Sequence, residues 1–173
     1  MSSLRAELFE PAEYLEQRGR PGWFATLIRR DGRTRQDTYQ LTDLPAVVAG
    51  LYPDVDTWIT QATFRSRNRR AVNLRDVGLL FSDLDTYHSE GLANRAPEEQ
   101  AELLVAYCTN EGLAAPSIVL FSGRGLQAKW LLTEAQGPIR LFEWNQAQLA
   151  LTKLLTPFCL RQCRARRLLG SPT

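Results

Sequence analysis

Apolar and polar positions change period several times along this chain, and the changes divide it into short elements. Residues 6–18 carry apolar positions at helical spacing and are broken off by "RGRPG", which predicts a short amphipathic helix. "WFATLIRR" (23–30) and "TRQDTYQL" (34–41) flank Asp31 and Gly32, a pair suited to a tight hairpin turn. "TDLPAVVAGLYP" opens on a capping residue, Thr42 or Asp43, and stops near Gly50, Tyr52 and Pro53, so a short helix is expected. "DTWITQATF" (56–64) alternates and reads as one strand, whereas "VGLLFSDLD" (77–85) is more uniformly apolar and reads as a central strand.

The second half repeats the mixture. "RAPEEQAELLVAYCTNEGL" reads as a helix, with Pro97 in its first turn, Glu98 and Glu99 at the positive end of its dipole, and Gly112 as its stop. "PSIVLFSG" (116–123) and "LQAKWLLTE" (126–134) are strands joined by the turn "GRG". Residues 138–158 form the longest helix, with Leu141, Trp144, Leu149, Leu151, Leu154 and Leu155 as its apolar side. Strands interspersed with helices in this order predict an α+β fold, a mixed or antiparallel sheet flanked by helices, with the central strand beside the last hairpin.

Composition narrows the class without naming a chemistry. The 173 residues suit a single domain, 44% are apolar and 23% charged, and no apolar run approaches membrane-spanning length. With no apolar signal core at the N-terminus, a cytoplasmic location and no membrane partner are expected. Cys108, Cys159 and Cys163 with one histidine make no zinc-ligand set, so reduced thiols are expected. The net charge is only +2, yet arginines crowd into "IRRDGRTR", "RSRNRR" and "LRQCRARR". Any one such run is ordinarily a solvated loop. Three runs nearly free of lysine suit a polyanion, because guanidinium forks match phosphate oxygens in pairs.

Two constellations carry candidate chemistry. Asp83 and Asp85 lie at i and i+2 on a strand, so both carboxylates point to one face. Such a pair suits Mg²⁺ or Mn²⁺ with waters and substrate phosphates completing the shell; the plain alternative is a polar exit from the strand. In "FSGRGLQAKW", Gly123 and Gly125 permit a tight turn, and Ser122, Arg124 and Lys129 offer anion contacts. Gln127 and Lys129 share one strand face, with Leu126, Ala128 and Trp130 on the other; the alternative is an exposed Gly-rich hairpin. His88 reads either as a phosphate or metal contact or as a turn residue, the commoner role. The four tryptophans offer base-stacking surfaces but more often serve as core.

A strand ending in DxD, then a helix, then strand–"SGRG"–strand resembles the catalytic core of the archaeo-eukaryotic primase superfamily, and within it the RepB-like plasmid and phage replication primases. The likeness spans about residues 75–170, with strands 22–64 fitting loosely as a second subregion of one domain. It implies a primase-polymerase (RRM-like) core, Asp83 and Asp85 as catalytic metal ligands, and Ser122, Gly123, Arg124, Gly125, Gln127 and Lys129 around the nucleotide. Arg65, Arg67, Arg69, Arg70, Arg166 and Arg167 would grip DNA. The implied partners are a single-stranded DNA template and nucleoside triphosphates, with a replication helicase as a further candidate. The chain departs from the pattern in two places: Gln127 stands where many members carry His, and no Asp or Glu follows Glu143, although the family has a third acid near a basic "RLxG"-like segment, here "RRLLG". Two other functions fit the same residues: a restriction-type nuclease using an Asp with Gln127 and Lys129, and a DNA-binding replication domain without catalysis.

Overall fold

A computed structural model of the chain describes residues 21–52, 54–89 and 91–160. The expected helix at 6–18, Cys163, Arg166, Arg167 and "RRLLG" lie outside the described residues. The elements are β1 (Trp23–Arg30), β2 (Arg33–Gln40), α1 (Leu44–Ala49), β3 (Asp56–Ile59), β4 (Ala62–Phe64), β5 (Leu74–Leu84), α2 (Pro97–Asn110), β6 (Ile118–Phe121), β7 (Leu126–Gln136) and α3 (Leu141–Leu160). The fold is α+β: the seven strands form one antiparallel sheet in the order β2-β1-β4-β5-β7-β6, with β3 also paired to β1. No described helix is long and apolar enough to cross a membrane. The chain divides into two compact units, residues 21–78 with 134–141 and residues 79–133 with 142–160.

In the first of these units, β1 and β2 form the expected hairpin. Asp31 (φ 50°) and Gly32 (φ 73°) both adopt left-handed backbone, which matches the turn's twist to that of the strands. The predicted strand at 56–64 is instead two. Thr26 faces Ile59 while Trp23 faces Phe64, so three steps along β1 oppose five along the other segment and Thr60–Gln61 bulge out. Thr60 keeps the break attached: its amide donates to Ala25 O at 3.0 Å, and its Oγ1 accepts from Ala25 N at 3.0 Å. Phe24 and Leu44 are fully buried, and Phe64, Leu74 and Val77 nearly so. Amid these apolar groups sits the buried carboxylate of Asp76, which accepts a 2.9 Å hydrogen bond from Thr63 Oγ1 across β4 and β5.

In the other unit, Leu84, Leu126, Ala128 and Trp130 from the strands meet Leu104 and Cys108 of α2 and Leu151 and Leu155 of α3. Trp130 satisfies its indole N–H at Ala114 O, 2.8 Å away. Helix α2 ends as its sequence indicates, with Gly112 at φ 70°. The buried stripe of α3 runs through Leu151 and Leu155, while Leu149 and Leu154, expected on the apolar side, are 55% and 40% exposed. The stripe continues toward the N-terminus through two polar groups that serve the edge of β5. Trp144 Nε1 donates to Leu79 O at 2.9 Å, and the Gln148 amide both accepts from Phe81 N (3.1 Å) and donates to Phe81 O (2.6 Å). Pairing of β4 with β5 stops at Val77, so these helix side chains take the place of a missing strand.

Thr63→Val removes one hydrogen bond to the buried Asp76 and is expected to lower unfolding free energy by roughly 1–3 kcal/mol. Equilibrium urea denaturation reads this directly, and an unchanged midpoint would show that the threonine contributes nothing there.

Candidate functional site

The candidate site lies within the unit of residues 79–133 and 142–160 and begins at the end of β5. Leu84 is buried in the helix-covered core, so the strand's alternation puts Asp83 on the opposite face, where its side chain is exposed. The strand ends at Leu84, so Asp85, expected on the strand and on one face with Asp83, instead opens a single tight turn over Thr86–His88, where strand alternation no longer sets the direction of its carboxylate. On β7, Leu126, Ala128 and Trp130 face the same core, which assigns Gln127 and Lys129 to the face that carries Asp83. Strands β5 and β7 are neighbours in the sheet.

One close approach joins the two constellations. A Cβ placed on Gly125 would overlap Leu84 O, a clash with backbone that no side-chain carbon tolerates, and would also crowd Thr86 N at 3.1 Å. Only glycine lets the β6–β7 turn pass this tightly beneath the end of β5. The turn is then fastened to the residues that follow the carboxylates, with Tyr87 N donating to Arg124 O at 3.2 Å. Gly123 supplies the left-handed residue at φ 86°. Ser122 closes the turn through its amide (2.9 Å) and its hydroxyl (3.1 Å), both donating to Gly125 O. The Ser122 hydroxyl, expected at phosphates, thus spends its proton inside the turn, and the exposed guanidinium of Arg124 is left as the turn's cation.

Beyond the carboxylates the chain is anchored from below. Thr86 and Ser89 are both 1% exposed, and Thr86 Oγ1 donates to Gln100 Oε1 at 2.6 Å. Gln100 Nε2 in turn donates to Leu92 O (3.0 Å) and Arg95 O (2.9 Å), so one buried amide on α2 fixes the loop that holds Asp85. Sequence reasoning missed this residue. Its signal was a glutamine at i on the stripe that continues through Leu104 and Cys108, a polar group where the helix is otherwise apolar. The ring stack of Tyr87 on His88, with centroids 3.8 Å apart, also went unread.

The electrostatics distinguish the members. Partial burial and then the neighbouring Asp85 charge push the Asp83 carboxyl above its ordinary value. Burial pushes the Lys129 ammonium down; the residue is only 5% accessible. Among the described residues no three His, Cys, Asp or Glu side chains gather as a metal cluster. The available donors are therefore two hard carboxylates in mutual repulsion. They suit a Mg²⁺ or Mn²⁺ ion that takes one or two protein carboxylates and draws its remaining ligands from water and phosphate.

The structure brings Asp83, Asp85, the Ser122–Gly125 turn, Gln127 and Lys129 into one region of one unit. Arg65, Arg67, Arg69 and Arg70 lie in an exposed loop of the other unit. Of the tryptophans read as core, Trp130 is buried, but Trp58 on β3 is 46% exposed, because it faces away from the packed side of a short strand. Comparison of the chain with models of known protein families, with curated proteins and with solved structures finds no match in any of the three.

Gly125→Ala is expected to destabilise by ~2 kcal/mol or more, since backbone rather than a flexible side chain must yield; denaturant midpoints measure this. Asp83→Asn acts in the opposite direction. A raised carboxyl pKa means that Asp83's stability contribution is fully present below its ordinary 3.8 and falls as pH rises through the folded value. In chelator at neutral pH the Asn variant should therefore melt higher than the parent, with the gain vanishing below pH 3.8. A gain that persists in acid would show that charge is not its source.

Proposed function

We propose that this chain is a metal-dependent nucleotidyltransferase of primase type, which extends primers on single-stranded DNA in plasmid or phage replication, with a primase-polymerase core. The observation that carries the reading is the close approach at Gly125, through which a carboxylate pair and a glycine-rich turn bearing Arg124 become neighbours. Neither alone has much specificity; together they offer hard-cation ligands beside an anion-binding turn.

The residues divide the work by chemistry. Asp83 and Asp85 would hold Mg²⁺ or Mn²⁺, which when bound supplies charge neutralisation at the transferring phosphate and lowers the pKa of the attacking hydroxyl. Arg124, exposed and always charged, can fork onto two phosphate oxygens. Gln127 on the Asp83 face offers a neutral amide donor. Lys129 contributes a positive charge from poorly solvated surroundings, where its attraction for an anion is stronger than in water.

The test is incubation with Mg²⁺ or Mn²⁺, a single-stranded template and nucleoside triphosphates. Chain extension is expected, falling at least a hundredfold in Asp83→Ala, as for loss of a principal electrostatic group. Cutting of the strand in place of extension would transfer the same residues to the nuclease reading, and wild-type protein that does neither would leave a DNA-binding domain without catalysis.

A further inference from the structure

A second surface, in the unit of residues 21–78 and 134–141, has its own chemistry. The alternation of β1 places Trp23, Ala25, Leu27 and Arg29 on one face. Leu27 has Gln36 of β2 opposite it on one side and Trp58 of β3 on the other, so Gln36, Leu27 and Trp58 form a row across three strands. Neighbouring strands lie about 4.8 Å apart, which puts Gln36 roughly 10 Å from Trp58. The same alternation lines this face of β2 with Thr34, Gln36, Thr38 and Gln40, all uncharged hydrogen-bonding groups.

The loop "RSRNRR" is attached to that face. The Arg67 guanidinium lies over the Trp23 ring, 5.0 Å from its centroid, and Arg69 donates to Gln36 Oε1. Residues 65–70 carry four arginines and no carboxylate. The one carboxylate that the three strands place on this face, Asp56, stands opposite Arg29 in the ladder. The result is a half-exposed indole and a row of amides and hydroxyls, bordered by guanidinium groups that two contacts hold in place.

We propose that this face binds single-stranded nucleic acid, with an unstacked base on Trp58 and the phosphate backbone along Arg67 and Arg69. Arginines alone would serve any polyanion. The exposed indole beside hydrogen-bonding side chains selects a ligand with free base faces, which a duplex keeps stacked inside and an acidic peptide lacks. Trp23, covered by Arg67, orients that guanidinium instead of stacking a base. The inference rests on the proposed function only for calling the strand a template; the binding itself requires neither carboxylate.

Fluorescence anisotropy of a labelled oligo-dT with the full chain measures it. Trp58→Ala should weaken binding about tenfold while Trp58→Phe retains most of it, a pattern that a folding defect does not produce. Arg67→Ala should flatten the plot of log affinity against log salt by about 0.7, one phosphate contact on a single strand. Asp83→Ala should bind as the parent does, so that lost extension with intact binding separates the two sites. The proposal is overturned if Trp58→Ala binds like the parent, or if duplex of equal length or polyglutamate binds as tightly as the single strand. If the parent binds through Trp58 yet never extends a primer, this face stands and the nucleotidyl-transfer reading falls.

Discussion

The candidate site depends on the passage of the Gly125 backbone against the carbonyl of Leu84. A close approach of this kind has no energy of its own to offer. It exists because the residues on either side are held by stronger forces: Leu84 and Leu126 are buried in one apolar cluster, and burial of each such side chain is worth roughly 1.5–3 kcal/mol. The core pulls the two strands together, and glycine is what allows the turn to follow. Every further contact there, from Tyr87 N to Arg124 O and from Ser122 to Gly125 O, depends on that passage.

Around it the protein uses side-chain amides, one buried and one at the surface, where a simpler fold would use strands or apolar side chains. Gln100 satisfies the loop behind Asp85, and Gln148 satisfies the edge of β5 beside Phe81. An amide has both a donor and an acceptor, so one side chain can answer both backbone groups of a strand residue, or close a loop at two points. Such an arrangement holds charged residues at a rigid strand end without placing apolar bulk beside them. The two carboxylates remain in each other's field, and partial burial of Asp83, followed by the Asp85 charge, holds the Asp83 carboxyl above its ordinary value.

Much of the architecture was legible because local chemistry and tertiary packing agree. The Asp31-Gly32 turn, the start of α2 at Pro97 and its stop at Gly112 each follow from backbone preferences of single residues. The alternation of Leu126, Ala128 and Trp130 against Gln127 and Lys129 likewise survived, since a strand covered on one face has little choice of register. Reading failed where two neighbours compete for one segment. Residues 56–64 alternate without interruption, but β1 and β5 draw its two halves into different registers, and Thr60–Gln61 absorb the difference. Leu149 and Leu154 look like core by composition and lie off the stripe that Leu151 and Leu155 bury.

By itself the sequence determined the menu of elements, the face of each strand, and the residue types able to hold a cation or a phosphate, because these follow from backbone period and side-chain chemistry. It could not determine adjacency. That Asp85 and Arg124 share one strand end, that Gln100 serves a loop several residues before its own helix, and that Trp58 stays half exposed while Trp23 lies under Arg67 are outcomes of long-range packing. Distances between residues far apart in the chain are set only when the apolar clusters close, and these functional arrangements are built from such distances.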